Sequence, residues 1–167
     1  MGTYLNSITP YTLYKSECLS AYFVDKTLML RELFPYVSAG NRHICITRPR
    51  RFGKSYAANM LAAYYSKGAD SEKMFSGLQI SKEADFREHL NKYDVIHFDV
   101  QWCMMDAEDT DHVVDYINEG ILQELREAYG QIIPDAVRTA YGAMSYIKAA
   151  TGNKFVVIID EWDVLIR

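Results

Sequence analysis

The sequence predicts an α/β fold, a three-layer sandwich with helices on both faces of a mostly parallel sheet. Three observations predict it. Compact apolar runs at 43–47, 94–100 and 155–159 read as strands, and helix-forming stretches separate them. At least two of these runs are apolar throughout, as expected of parallel strands buried on both faces. The chain has 167 residues, 49% hydrophobic and 24% charged, which is an ordinary globular mix with enough material for one real core.

The elements follow in order. Residues 11–22 are mixed and aromatic. A short helix is expected from Asp25, with Leu28, Leu30, Leu33 and Phe34 on one face and with Pro35 and Gly40 limiting it. His43-Ile44-Cys45-Ile46-Thr47 reads as a buried strand with an inert Cys45 inside it. A polar, glycine-containing segment, 48–53, leads into 55–65, which is rich in helix formers, with Gly68 as its stop. Residues 74–80 read as a connector. Residues 82–93 read as a helix presenting Phe86 and Leu90 to a core. After the strand at 94–100, the acidic run Asp106, Glu108, Asp109, Asp111 favours the start of a longer helix. Its stripe is Val113, Val114, Ile117, Ile121, Leu122 and Leu125, and Gly130 ends it. Pro134 opens a further helix through Ala149, with Gly152 as C-cap, and the run 155–159 is the last strand.

Composition narrows the function classes. Lys and Arg total 18 against 22 Asp and Glu, a formal charge of −4, which argues against nucleic-acid binding through bulk positive charge. Cys18, Cys45 and Cys103 form no CxxC pair, so a reducing, cytoplasmic setting is the simpler expectation. No apolar run approaches a membrane span, and no secretory signal is visible. The histidines show no metal-ligand spacing. His97 and Asp99 share one face of a strand and read as a packed, hydrogen-bonded pair.

The strongest local signal is strand, Arg48-Pro49-Arg50-Arg51-Phe52-Gly53-Lys54-Ser55, helix. It matches a phosphate-binding loop, G-x-x-x-x-G-K-[ST], at Gly53, Lys54 and Ser55, with Arg48 in place of the first glycine. Gly53 lets backbone N–H groups approach phosphates, and the helix that follows presents its N-terminal N–H groups to the anion. Lys54 reaches the β- and γ-phosphates, and Ser55 is a Mg²⁺ ligand. Arg50 and Arg51 suit bidentate phosphate contact. The bland alternative is a strand–loop–helix corner with solvated basic residues. A second signal is Val156-Val157-Ile158-Ile159-Asp160-Glu161, an apolar strand ending in two carboxylates, the shape of a Walker B strand. Asp160 would hold Mg²⁺, mostly through water, and Glu161 would orient the attacking water. Together the two signals give the fold reading its full form, a P-loop NTPase-like sandwich.

Ile46–Ser55 (ITRPRRFGKS) resembles the phosphate loop of the AAA-ATPase-like family of prokaryotic proteins. Phe23-Val24-Asp25-Lys26-Thr27 resembles its Tyr-Val-Asp-Lys-Thr segment, and Val157–Asp163 its IIDEYD segment, with Trp162 in place of tyrosine. The resemblance implies Walker A roles for Lys54 and Ser55, Walker B roles for Asp160 and Glu161, and an arginine as the usual residue at position 48. It assigns no chemistry to Asp25 or Lys26; by itself Asp25 reads as a helix cap. The implied cofactors are ATP and Mg²⁺, with hydrolysis expected of the full-length protein. Many members carry a C-terminal nuclease-like domain of the PD-(D/E)xK type. Against that pattern the chain is expected to be an N-terminal portion, C-terminally incomplete. Residues 1–40 would form an extension with a helix, and 41–167 a partial core ending just after Walker B. An uncovered final strand would invite a homodimer or higher oligomer. Two other readings stay open, a non-hydrolysing scaffold serving a partner domain and a small-molecule kinase.

Overall fold

The structure is a computed structural model, and it describes residues 2–38, 43–47, 52–107 and 109–166. The chain divides into two compact units, 8–92 and 1–7 with 93–167.

The unit 8–92 is helical. Helix α1 (Thr9–Cys18) opens with Pro10 in its first turn, where a missing N–H costs nothing. Helix α2 (Leu28–Ser38) buries Leu30 and Phe34, one turn apart. It continues three residues past Pro35, which faces solvent, so the proline does not end the helix as expected. Packing of Leu30 and Phe34 holds the helix through the lost hydrogen bond. Helix α3 (Lys54–Tyr65) buries Ala57, Ala58, Met60, Ala62, Ala63, Tyr64 and Tyr65, and its small residues let α1 pack closely. Short helices α4 (Glu72–Phe75) and α5 (Phe86–His89) and a 3₁₀ turn (Gln79–Lys82) close the unit. The expected helix over 82–93 is thus a single turn, although Phe86 and Leu90 are buried as read.

Rings fill this core. Tyr14 stacks on Phe75, Phe34 stacks on Tyr64, and Tyr64 meets Phe75 edge-on with centroids 5.4 Å apart. The Tyr64 hydroxyl donates to the Phe86 carbonyl at 2.6 Å, so its polar end is satisfied. The carbonyls at the C-terminal end of α3 are met by Asn91. Its Nδ2 donates to Ser66 O at 2.7 Å and to Ala63 O at 3.3 Å, while its Oδ1 accepts from Ser71. Asn91 takes φ +55, the left-handed region that asparagine tolerates better than most residues.

The expected strand at 43–47 is not a strand. The segment is irregular and exposed, Ile44 is 47% accessible and Cys45 lies exposed rather than buried. The helical unit offers no strand for it to pair with among the described residues, and an apolar run without a ladder partner has nothing to order it.

In the unit 1–7 with 93–167, β1 (Asp94–Asp99) and β2 (Phe155–Asp160) pair in parallel, from Asp94 opposite Phe155 to Asp99 opposite Asp160. Between them run α6 (Val100–Asp106), a 3₁₀ turn (Thr110–His112), α7 (Val113–Tyr129) and α8 (Ala140–Thr151); a 3₁₀ turn (Trp162–Ile166) follows β2. Helix α6 is an element the sequence reading did not contain. The stripe on α7 is buried at Val113, Ile121 and Leu125, while Val114 is exposed. Ile96, Cys103, Ala143 and Ile147 complete an aliphatic core with them. Helix α8 starts at Ala140, not at Pro134. Thr139 accepts from Gly142 N as its cap, and Arg126 Nη2 holds the preceding turn through Val137 O at 2.8 Å. Gly152 ends α8 at φ +73, as read.

The other edge of β1 carries residues 4–6, with Asn6 N donating to Val95 O and His97 N to Tyr4 O. The Glu124 carboxylate accepts from the N–H groups of Thr3, Tyr4 and Leu5, which pins this segment. Buried Asp94 accepts from Asn6 Nδ2 and the Tyr129 hydroxyl, both at 2.8 Å. The parallel sheet is therefore present with two strands among the described residues, and Val157 and Ile159 of β2 are nearly half exposed.

Candidate nucleotide-binding residues

Gly53 adopts φ +78, ψ +35 immediately before α3. That left-handed turn favours glycine, and a Cβ there would lie 2.9 Å from Lys26 Nζ, the movable end of a flexible side chain. Gly53 contributes no side-chain cap, and its carbonyl accepts the first helical bond from Ala57 N at 3.1 Å. Lys54 and Ser55 occupy the first turn of α3, half-buried and exposed respectively, and Phe52 before them is exposed. A helix start of this kind carries partial positive charge on its leading N–H groups. Arg48, Pro49, Arg50 and Arg51 lie outside the described residues.

The segment 23–27 meets this turn through Tyr56. The Tyr56 hydroxyl donates to Val24 O at 3.1 Å, the Phe23 ring lies 6.4 Å from the Tyr56 ring, and Lys26 Nζ sits 5.3 Å over that ring. Asp25 fixes the backbone on either side. Its Oδ1 accepts from Thr27 N and from the Thr27 hydroxyl at 2.6 Å, and its Oδ2 accepts from Gln79 N at 2.7 Å. The Thr27 oxygen in turn accepts from Ile80 N, fully buried. Asp25 bonds the residue before α2 and not an N–H of its first turn, so in place of the expected helix cap it is a tie between 25–27 and the 3₁₀ turn at 79–82. Partial burial alone would raise its carboxyl pKa, but the hydrogen bonds from Thr27 and Gln79 outweigh it and hold the group below its ordinary value.

Asp160 ends β2 and is buried. Its Oδ1 accepts from Glu161 N at 3.0 Å, and Glu161 turns the chain with φ +49. A non-glycine residue there costs on the order of 1 kcal/mol, a strain that clusters at functional sites. Asp99 stands opposite Asp160 in the register, so two carboxylates share the C-terminal edge of adjacent parallel strands. Asp99 does not pair with His97 as expected: its Oδ1 accepts from Gln101 N and Trp102 N, because the start of α6 claims it. His97 Nε2 is buried with no hydrogen-bond partner. Burial lowers the His97 pKa against the opposing pull of Asp160 and Asp99, and burial raises that of Asp99.

Among the described residues no three His, Cys, Asp or Glu side chains cluster as a metal cage. Nor is any helix there long and apolar enough to cross a membrane. A surface hollow of about 420 Å³ runs along α7, lined by Glu119, Leu122, Gln123, Arg126 and Glu127, none of them a site candidate read from the sequence. Sequence reasoning missed Tyr56 as the joint between the two segments. Its position directly after Ser55, on the first turn, was the available signal.

Comparison with known proteins shows the family. The family model described as "Predicted AAA-ATPase" matches residues 13–167. A curated relative, the "Uncharacterized protein in vnfD 5'region" of Azotobacter chroococcum mcd 1, is 30% identical over 152 residues. That match covers 85% of this chain and 25% of the relative, so the chain spans about a quarter of the protein it resembles. No solved structure matches. With nearly its whole length inside the family model, the chain belongs to the predicted AAA-ATPases.

Proposed function

We propose that the chain supplies the nucleotide-binding residues of a Mg²⁺-dependent ATPase with a P-loop core, and that hydrolysis belongs to the longer protein. The observation that carries the reading is the Gly53 turn: a left-handed glycine, uncapped by any side chain of its own, delivering Lys54 and Ser55 on the first turn of a 12-residue helix. That arrangement fits an anion, and membership of the family supports a nucleoside triphosphate as that anion.

On this reading the N–H groups at the start of α3 and the Lys54 ammonium hold phosphate oxygens. The Ser55 hydroxyl and the Asp160 carboxylate are each a candidate Mg²⁺ ligand, and Mg²⁺ suits sparse protein ligation because it keeps several waters. Mg²⁺ when bound would neutralise charge on the phosphate oxygens. Arg48, Pro49, Arg50, Arg51 and Phe52 complete the proposed phosphate loop. Glu161 orients water, and its strained turn sets the carboxylate's direction at the end of β2.

Calorimetric titration with Mg·ATP tests this, using wild type beside Lys54→Ala. The expected result is saturable binding by wild type and loss of at least about tenfold in the variant, the scale of one charge-assisted contact. A folded wild-type chain that binds no Mg·ATP overturns the reading.

A further inference from the structure

Lys26 lies outside the glycine-lysine-serine signal, yet its ammonium is the group a Cβ on Gly53 would strike, at 2.9 Å. Its placement is built rather than incidental. Val24 O is tied to the Tyr56 hydroxyl, Asp25 bonds Thr27 and Gln79, and Thr27 is fully buried, so the backbone is fixed on both sides of Lys26. The side chain then crosses the Tyr56 ring with Nζ 5.3 Å from its centroid. A ring face attracts a cation without neutralising it. Among the described residues no carboxylate forms an ion pair with Lys26, and its neighbour Asp25 spends its oxygens on Thr27 and Gln79. A surface lysine normally keeps its rotameric freedom; this one lies over the Tyr56 ring beside the turn that begins α3.

We propose that Lys26 is a phosphate-contacting residue, a second ammonium that works with Lys54 on the phosphate chain of the nucleotide. This rests on the nucleotide reading above and deepens it. An ammonium is a compact charge with three donors, suited to oxygens converging from several directions. Lys26 supplies positive charge to the N-terminal end of α3 from a different part of the chain. Its contact is with phosphate, so it discriminates by phosphate number and not by base.

The test is titration of wild type, Lys26→Met, Lys26→Arg and Lys54→Ala with Mg·ATP and with AMP, alongside thermal melts. Methionine keeps the stem over Tyr56 and removes only the charge. Lys26→Met is expected to weaken Mg·ATP by roughly tenfold to a hundredfold, the range for one hydrogen bond to a charged group. AMP binding and the melting temperature should stay near wild type, and Lys26→Arg should recover part of the Mg·ATP affinity. If Lys26→Met binds Mg·ATP as wild type does while Lys54→Ala fails, the role of Lys26 is overturned and the site stands. If Lys26→Met weakens Mg·ATP and AMP equally, or lowers the melting temperature, Lys26 is structural and the inference is overturned. If folded wild type binds no Mg·ATP, the nucleotide reading falls first and takes this inference with it.

Discussion

The two compact units hold their candidate residues by different means. In the helical unit 8–92 the core is made of rings, and the segment 23–27 is held by single side-chain hydrogen bonds, Thr27 hydroxyl to Asp25 and Tyr56 hydroxyl to Val24 O. In the unit carrying β1 and β2 the core is aliphatic, and Asp99 and Asp160 are aligned by the parallel backbone ladder. A ladder is spread over many equivalent bonds, whereas a side-chain tie has a single point of failure. The segment 23–27 should therefore be the more easily displaced by one substitution, and the strand-end carboxylates the more tolerant.

The largest effect should come from the ring core. Tyr64 is fully buried, touches Phe34, Tyr65, Phe75 and Phe86, and bonds the Phe86 carbonyl. Tyr64→Ala is expected to cost about 3–5 kcal/mol by removing a large ring and leaving a cavity. Thermal unfolding followed by circular dichroism would show it, and a loss under 1 kcal/mol would mean the ring cluster does not organise this unit.

A smaller effect, of distinct sign with pH, belongs to Asp25. Its folded pKa lies below the ordinary value, so its stabilisation is present above the unfolded pKa and is lost as pH falls through the folded one. Asp25→Asn removes the charge and keeps one acceptor. Wild type should lose stability relative to the variant as pH drops below about 4, and the two should run parallel at neutral pH with wild type ahead. Melting temperatures across pH 3 to 7 check this, with a constant gap between the two as the contrary result. The smallest effect is expected at β2. Val157 is 46% exposed, so Val157→Thr should change stability by no more than about 0.5 kcal/mol in the isolated chain. A large loss there would mean that the outer face of β2 is covered in solution.

What was legible in the sequence divides along the same line. Strands β1 and β2 were readable because β-formers end at acidic residues, and α7 because its apolar spacing persists over four turns. Gly152 marked a helix end through its backbone freedom, and Gly130 stands at the end of α7 in an ordinary helical conformation. The run at 43–47 misled because apolar composition specifies burial only where a neighbouring strand is available, and the helical unit provides none among the described residues. Pro35 misled because tertiary packing of Leu30 and Phe34 outweighs one lost hydrogen bond. For the candidate site, Lys54, Ser55, Asp160 and Glu161 are proposals that local spacing alone puts forward. The link between Lys26 and Gly53 was not legible, since it passes through Tyr56 from a segment far away in the chain.

The central claim is that the turn at Gly53 receives phosphate and that the segment 23–27 is part of it. Amide hydrogen exchange with and without Mg·ATP tests it most directly, read separately over 23–27, 53–57 and 94–99. The account predicts slower exchange over 53–57 and 23–27 on adding Mg·ATP, with little change along the ladder of β1. Unchanged exchange over 53–57 in the folded chain, at saturating Mg·ATP, would contradict it.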